Sequence, residues 1–288
     1  MLPLCIASRW WGCVNDIVLP VCVRGLVLGL FAWAFNCDLG EAQDEELRHY
    51  RNLGEFFRRP LKTELRPVCT GDCVVSPADG MVLDFGRIEK GFVEQVKGKT
   101  YSLKKFLGPH HRHCIHLEEE EYQQQLLQQD DTELYHCVVY LAPGDYHRFH
   151  SPVKWEVKHR RHFPGTLLSV HPGVVNWIAG LFNMNERVVY TGRWKHGFFS
   201  MTAVGATTVG SIKVYFDSNL STNRHRHGFN EQCFQSQHNR VGIQLDKGDP
   251  FGEFNLGSTV VLIFEAPKNF NLQLKQEQHI CYGQLVGR

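Results

Sequence analysis

Three short segments of this 288-residue chain carry side chains able to do acid–base and nucleophilic chemistry beside residues that turn the backbone. They are Ser76-Pro77-Ala78-Asp79-Gly80, Asp145-Tyr146-His147-Arg148-Phe149-His150-Ser151-Pro152 and Leu256-Gly257-Ser258-Thr259. Together they supply a carboxylate, two imidazoles and a hydroxyl. These are the parts of an Asp–His–Ser relay, in which an imidazole takes the hydroxyl proton and a carboxylate steadies the cation that forms. Each segment alone is a common pattern: an Asp-Gly after Pro-Ala is ordinarily a turn, and a second Gly-Ser pair stands at Gly210-Ser211. In a regular strand His147 and His150 would point to opposite faces, so a shared site needs a bend, which Pro152 favours.

Other chemistries find less support. Four histidines (His110, His111, His113, His116) precede a run of four glutamates, but their spacing fits no two-plus-two metal pattern, and the segment reads as an exposed polar loop. The ten cysteines contain no C-x-x-C pair; Cys69 and Cys73 in CTGDC come nearest, and all are read as reduced and mostly structural. With 31 basic residues against 30 acidic and a net charge of +1, no overall field marks nucleic acid as a partner.

The elements that must position these groups follow from patterning. Ile17 to Phe35 is nearly continuous apolar sequence, long enough to approach a bilayer span. Pro20 and Arg24 argue against spanning, the arginine costing roughly 2.5–3.5 kcal/mol at a bilayer centre. The segment therefore reads as a helix on a membrane surface, with Trp10 and Trp11 suited to headgroup depth; the alternative is a helix packed into the protein's own core. Glu41 to Arg59 places Leu47, Tyr50, Leu53, Phe56 and Phe57 at helical spacing, which predicts a helix stopped by Pro60. From Arg66 onward, short runs rich in Val, Ile, Phe and Tyr alternate with Gly, Pro and Asp, which predicts strands and turns. Two polar stretches, 108–131 and 218–239, read as surface loops. The fold class is thus α+β: a helical, membrane-associating region over residues 1–65 and a mainly antiparallel β body over 66–288. Within the body, the run after Ser258 (VVLIFEA) predicts a central, buried strand.

The three segments, in this order and spacing, resemble the phosphatidylserine decarboxylases, the family whose self-cleavage motif is Leu-Gly-Ser-Thr. HYRNLGEFFRRPLK, ELYHCVVYLAPGDYHRFHSP, WKHGFFSMTAVGATTVGSI and GEFNLGSTVVLIFEAPKNFNLQLK are similar to the animal mitochondrial members, from about residue 45 to 288. The resemblance implies that Asp79 is the relay aspartate, His150 the relay histidine and Ser258 the nucleophile. It implies autocatalytic cleavage of a proenzyme between Gly257 and Ser258 into a β-chain (1–257) and an α-chain (258–288). Ser258 would become a pyruvoyl group, a covalent cofactor needing no metal, which forms a Schiff base with the amine of phosphatidylserine and accepts electrons as CO2 leaves. His147 is similar to the residue that returns a proton to the substrate carbon, giving phosphatidylethanolamine. The partners implied are a membrane lipid, the two self-cleaved chains for one another, and a second copy in members whose body is dimeric. The address implied is the mitochondrial inner membrane, although Met1 to about Asp16 is unlike the longer targeting and anchor region of the family and shows no clear targeting sequence.

Two rival readings use the same residues. A lipid-acting serine hydrolase would need a G-x-S-x-G nucleophile elbow, which the chain lacks. A catalytically silent β module on membranes has no need of Asp79, His150, Gly257 and Ser258 together.

Overall fold

The computed structural model describes residues 2–96, 98–109, 116–207, 211–223, 228–235, 241–255 and 257–288. Its body is a nine-stranded sheet, with all of its pairings antiparallel. The order is Asn230–Cys233, Trp155–Phe163, Arg187–Trp194, Gly197–Gly205, Ser258–Pro267, Thr132–Leu141, Gly80–Arg87 and His279–Ile280, with Ile243–Leu245 also pairing onto Trp155–Phe163. The α+β class expected from patterning is therefore the class observed.

Alternation along the strands divides the apolar residues between two cores. Val260, Leu262 and Phe264 face one core with Phe149, Trp155 and Phe251, while Val261 and Ile263 face the other with Phe106, Tyr122 and Phe182. Val260 to Phe264 are each 0 % exposed, in the interior strand that the apolar run predicted. Over the first core lies a three-stranded sheet in the order Ile212–Val214, Pro250–Phe254, Arg148–His150. This small sheet matters for the site because it sets the second histidine beside the strand that leads toward Gly257.

The helical region departs from expectation. Helices α1 (Leu2–Asn15) and α2 (Val21–Ala34) flank Pro20, which sits at the start of α2. The single helix expected over Glu41–Arg59 is not formed; a 3-10 turn (Leu47–His49) and a five-residue helix, α3 (Leu53–Phe57), replace it. The physical reason is competition for backbone groups. The Asn52 side chain accepts the Glu55 N–H (2.8 Å) and so starts α3 afresh, while the Arg51 carbonyl is taken by the Leu19 N–H (2.8 Å). Even so, Leu47, Tyr50, Leu53 and Phe56 all pack with Leu28 and Ala32 of α2, so the apolar spacing served packing without a continuous helix.

Both polar stretches hold structure as well as loop. Within 108–131 a helix, Glu119–Leu126, opens with a capping box between Glu118 and Glu121 and buries Tyr122 and Leu126. Within 218–239 lies the edge strand Asn230–Cys233, each residue of which pairs with the strand Trp155–Phe163. His110, His111 and His113 lie outside the described residues. Among the described residues no group of three or more His, Cys, Asp or Glu is placed to hold a metal ion, and no helix is long and apolar enough to cross a membrane.

Candidate active site

Ser258 is the first residue of the central strand, paired with Leu141 on one side and Gly205 on the other. It is fully buried, and its Oγ has no hydrogen-bond partner among the described residues. A buried hydroxyl without a partner forfeits roughly 1–3 kcal/mol. Gly257 before it has φ +45°, in the left-handed region where an L side chain is strained, although a Cβ there would meet nothing closer than the Thr207 carbonyl at 4.0 Å. The requirement for glycine is thus conformational rather than spatial. Leu256 lies outside the described residues.

The turn between Leu141 and His150 brings the histidines in. Asp145 closes it by accepting the Ala142 N–H through Oδ2 (2.7 Å). His147 is fully buried with the Phe57 ring 3.8 Å from its own, and its carbonyl accepts the Phe254 N–H (2.9 Å), four residues before Ser258. Its Nδ1 bonds to the Asp145 carbonyl (2.8 Å). A carbonyl only accepts, so Nδ1 carries the hydrogen and Nε2 the lone pair. That Nε2 is buried without a partner among the described residues, and burial lowers the pKa of the ring to about 4. His147 is therefore a neutral imidazole with a free basic nitrogen.

His150 is fixed in the same tautomer, its Nδ1–H donating to the Gly248 carbonyl (3.0 Å) and its Nε2 accepting from the Tyr146 hydroxyl (3.0 Å). Burial lowers its pKa to about 4 as well. The Tyr282 ring lies flat on it, with centroids 4.0 Å apart and planes 5° apart.

Asp79 is almost fully buried, and the structure does not bring it onto His150. Its Oδ2 takes both Nε (3.0 Å) and Nη2 (2.7 Å) of Arg66, and its Oδ1 accepts the Tyr282 N–H (2.8 Å). Arg66 is shared with Glu41 (2.6 and 3.0 Å). Burial pushes the Asp79 carboxyl up, against the pull of Arg66 and of the Tyr282 N–H. Tyr282 thus links the two residues expected to form the relay, its backbone on the aspartate and its ring on the histidine. Arg66, Tyr146, Gly248 and Tyr282 were not singled out by sequence reasoning. Tyr146 stood inside a motif already marked; nothing local distinguished the other three, because their roles arise from contacts across long stretches of chain.

The group implied for this site is made from Ser258 itself, so the test of fit is whether that residue is placed for conversion. It is: a buried, unbonded hydroxyl follows a glycine in the left-handed conformation, next to a turn that holds a neutral histidine.

The phosphatidylserine decarboxylase family model matches residues 53–288. A protein of Pongo abelii named a mitochondrial phosphatidylserine decarboxylase proenzyme is 54% identical over 99% of this chain and 72% of its own length. A proenzyme of the same name from Caenorhabditis elegans is 41% identical over 98% and 71%, and the mitochondrial proenzyme 1 of Saccharomyces cerevisiae is 40% identical over 99% and 72%. The comparisons define a decarboxylase proenzyme. The chain belongs to the phosphatidylserine decarboxylase family.

Proposed function

We propose that this chain is a mitochondrial, self-processing phosphatidylserine decarboxylase whose active carbonyl is made from Ser258. The observation that carries the reading is Ser258 Oγ, buried and unbonded directly after a left-handed Gly257. Attack of Oγ on the Gly257 carbonyl carbon, with loss of the hydroxyl proton to an imidazole, turns the peptide bond into an ester and frees the Ser258 nitrogen. Removal of the Ser258 α-proton then expels the Gly257 carboxylate, and addition of water with loss of ammonia leaves a ketone at the new chain start. His150 is the base assigned to the first step, which requires Tyr146 to release its Nε2. Asp79 acts on His150 through Tyr282 in the uncut chain.

The ketone supplies an electron sink for the substrate amine and the departing CO2. The residues around it do the rest. His147, neutral with a free Nε2, is suited to carry a proton to the former Cα. Phe57 and the first core exclude water from the reacting carbon. Access to lipid is given by α2, which packs Leu28 and Ala32 inward and leaves Leu26 75% and Trp33 80% exposed. An apolar face of this kind suits a membrane surface, and the inner mitochondrial membrane is the address proposed.

The test is a denaturing gel, a carbonyl-reagent label and a headgroup assay on one preparation. Wild type is expected as two chains with the label on the smaller, and Ser258→Ala as one unlabelled, inactive chain. A single wild-type chain with full decarboxylase activity would overturn the reading.

A further inference from the structure

Among the arginines of the helical region and the segments beside it, four have an acidic partner, Arg51 on Glu55 being the most exposed of them. Arg66 is held by Glu41 and Asp79, while Arg58 and Arg148 each have Glu253 at 3.9 Å. Arg59 differs. It is 3% exposed and makes no ion pair among the described residues, and its Nε and Nη1 have no hydrogen-bond partner there. Its remaining nitrogen, Nη2, donates to the Gly144 carbonyl (3.1 Å), and the guanidinium stands 5.0 Å from the centre of the Phe56 ring. Cys37 is beside it and turns its sulfur to the guanidinium, but burial pushes that thiol's pKa up against the charge and hydrogen bond of Arg59, so it supplies no counter-charge. A buried cation without a direct ion pair and with idle donors is costly, by several kcal/mol.

Its position gives the cost a purpose. Arg59 and His147 bond to the consecutive carbonyls of Gly144 and Asp145, and the guanidinium is near enough that its charge adds, after burial, to the lowering of the His147 pKa. Gly144 has no room for a side chain, because a Cβ would come within 2.1 Å of the Phe35 carbonyl, and the turn is thereby pressed against the end of α2.

We propose that Arg59 binds the phosphodiester oxyanion of the lipid headgroup through its idle Nε–H and Nη1–H. This rests on the decarboxylase reading above. With the amine joined at Ser258 and the Cα facing His147, the phosphorus lies three bonds beyond Cα, on the side where the guanidinium stands. The carboxylate is the wrong occupant. A guanidinium paired with it would stabilise the ground state and lose that contact as CO2 leaves, which slows the reaction. The phosphodiester keeps its charge throughout, so pairing with it positions the substrate without opposing the chemistry.

The experiment compares wild type, Arg59→Gln and Arg59→Lys as full chains on two substrates: phosphatidylserine in mixed micelles, and a long-chain O-alkyl serine with the same amine and carboxylate but no phosphate. Arg59→Gln should lose kcat/KM on phosphatidylserine by roughly 10- to 100-fold, the worth of a charge-assisted hydrogen bond. It should be unchanged on the phosphate-free substrate, and Arg59→Lys should recover part of the loss. In parallel, 31P line broadening of glycerophosphoethanolamine by wild type should vanish with Arg59→Gln, whereas inorganic phosphate should be bound more weakly by wild type than the diester. Equal losses on both substrates, or no loss on phosphatidylserine, would overturn the proposal, as would a preference for inorganic phosphate. The gel and carbonyl label separate this from the parent reading, since an Arg59 variant that is cut and labelled leaves that reading intact. Should Arg59→Gln stay uncut, Arg59→Lys decides by the same comparison: it keeps the charge but not the fork, and must still discriminate the two substrates.

Discussion

At the scale of single residues, the site separates groups that sequence could name from groups that only folding could assemble. Asp79, His147, His150 and Ser258 were legible because each sits beside a turn residue in a recognisable run. The partners that set their state were not, since Arg66 meets Asp79 across 13 residues, Tyr282 meets it across 203 and Gly248 meets His150 across 98. The division of labour between the histidines yields a prediction. His147→Ala should still be cut, because its imidazole is assigned to the later proton return, but decarboxylation should fall by roughly 10²–10⁴-fold, the usual worth of a general acid. Asp79→Asn and His150→Ala should each remain a single chain on a denaturing gel, and normal cutting in either would sink the relay. The same two imidazoles make stability depend on pH. Both are neutral when folded, with pKa lowered to about 4 by burial, so they favour the folded state above the ordinary histidine pKa. That favour is lost as pH falls from about 6.5 toward 4. Denaturant titration of the uncut Ser258→Ala chain should lose about 1–2 kcal/mol per histidine between pH 7 and 5. Replacing either ring with an uncharged one should remove its share. Asp79, whose carboxyl is pushed up, contributes with the opposite sign at the acidic end, so the neutral-to-mildly-acidic window is the one to measure. A flat profile there would mean that the rings are not buried neutral.

At the scale of elements, the strands were legible and the helices less so. A strand's period of two needs only alternation, and the VVLIFEA run could satisfy both cores at once only from inside the sheet. The stretch 41–59 has apolar residues at helical spacing, yet Asn52 offers a side-chain oxygen to the backbone, and α2 supplies a surface that the broken segment can cover just as well. Periodicity reports which residues are buried, not whether the backbone between them is continuous. The polar stretch 108–131 misled for a related reason, because the acids that made it look like loop are the outer face of a helix whose inner face is only Tyr122, Gln123 and Leu126. One buried acid that no pattern flagged ties elements together. Glu265, 0% exposed near the end of the central strand, accepts the N–H groups of Gln128 (3.0 Å), Gln129 (2.8 Å) and Phe198 (2.7 Å) and the hydroxyl of Thr132 (2.6 Å). Glu265→Ala would strand these donors in the interior, and thermal or denaturant unfolding should show a loss of at least about 3 kcal/mol. A loss below about 1 kcal/mol would mean that water replaces the carboxylate.

At the scale of the whole molecule, the proposed self-processing makes an unusual demand, that a chain be cut in its core and remain one particle. The proposed cut falls at the first residue of an interior strand paired along both of its edges. Ser258–Pro267 is in register over ten residues with Thr132–Leu141 and over seven with Gly197–Gly205, both of which would belong to the larger chain after the proposed cleavage. Beyond the strand, the tail is laced back to the same chain. Cys69 N–H donates to the Gly283 carbonyl (2.8 Å), Ser76 N–H to the Gln284 carbonyl (2.8 Å) and Gly283 N–H to the Ser76 carbonyl (3.0 Å), while Val74 pairs with Gly287. Releasing the small chain would therefore expose the apolar side chains of Val260 to Phe264, each worth roughly 1.5–3 kcal/mol on burial, and would leave two flanking strands with open edges. Cleavage removes one covalent link and none of these contacts. Dissociation of the cut enzyme should thus be the same event as global unfolding. On gel filtration the processed protein should elute as one peak holding both chains in equal amounts, unchanged on dilution. Across a denaturant titration, the loss of the small chain should coincide with the loss of the β signal in circular dichroism. If the small chain separated on dilution alone, or at denaturant concentrations where the sheet is intact, the strand would not be the keystone of the sheet, and the active carbonyl at its first residue would need another means of being held in place.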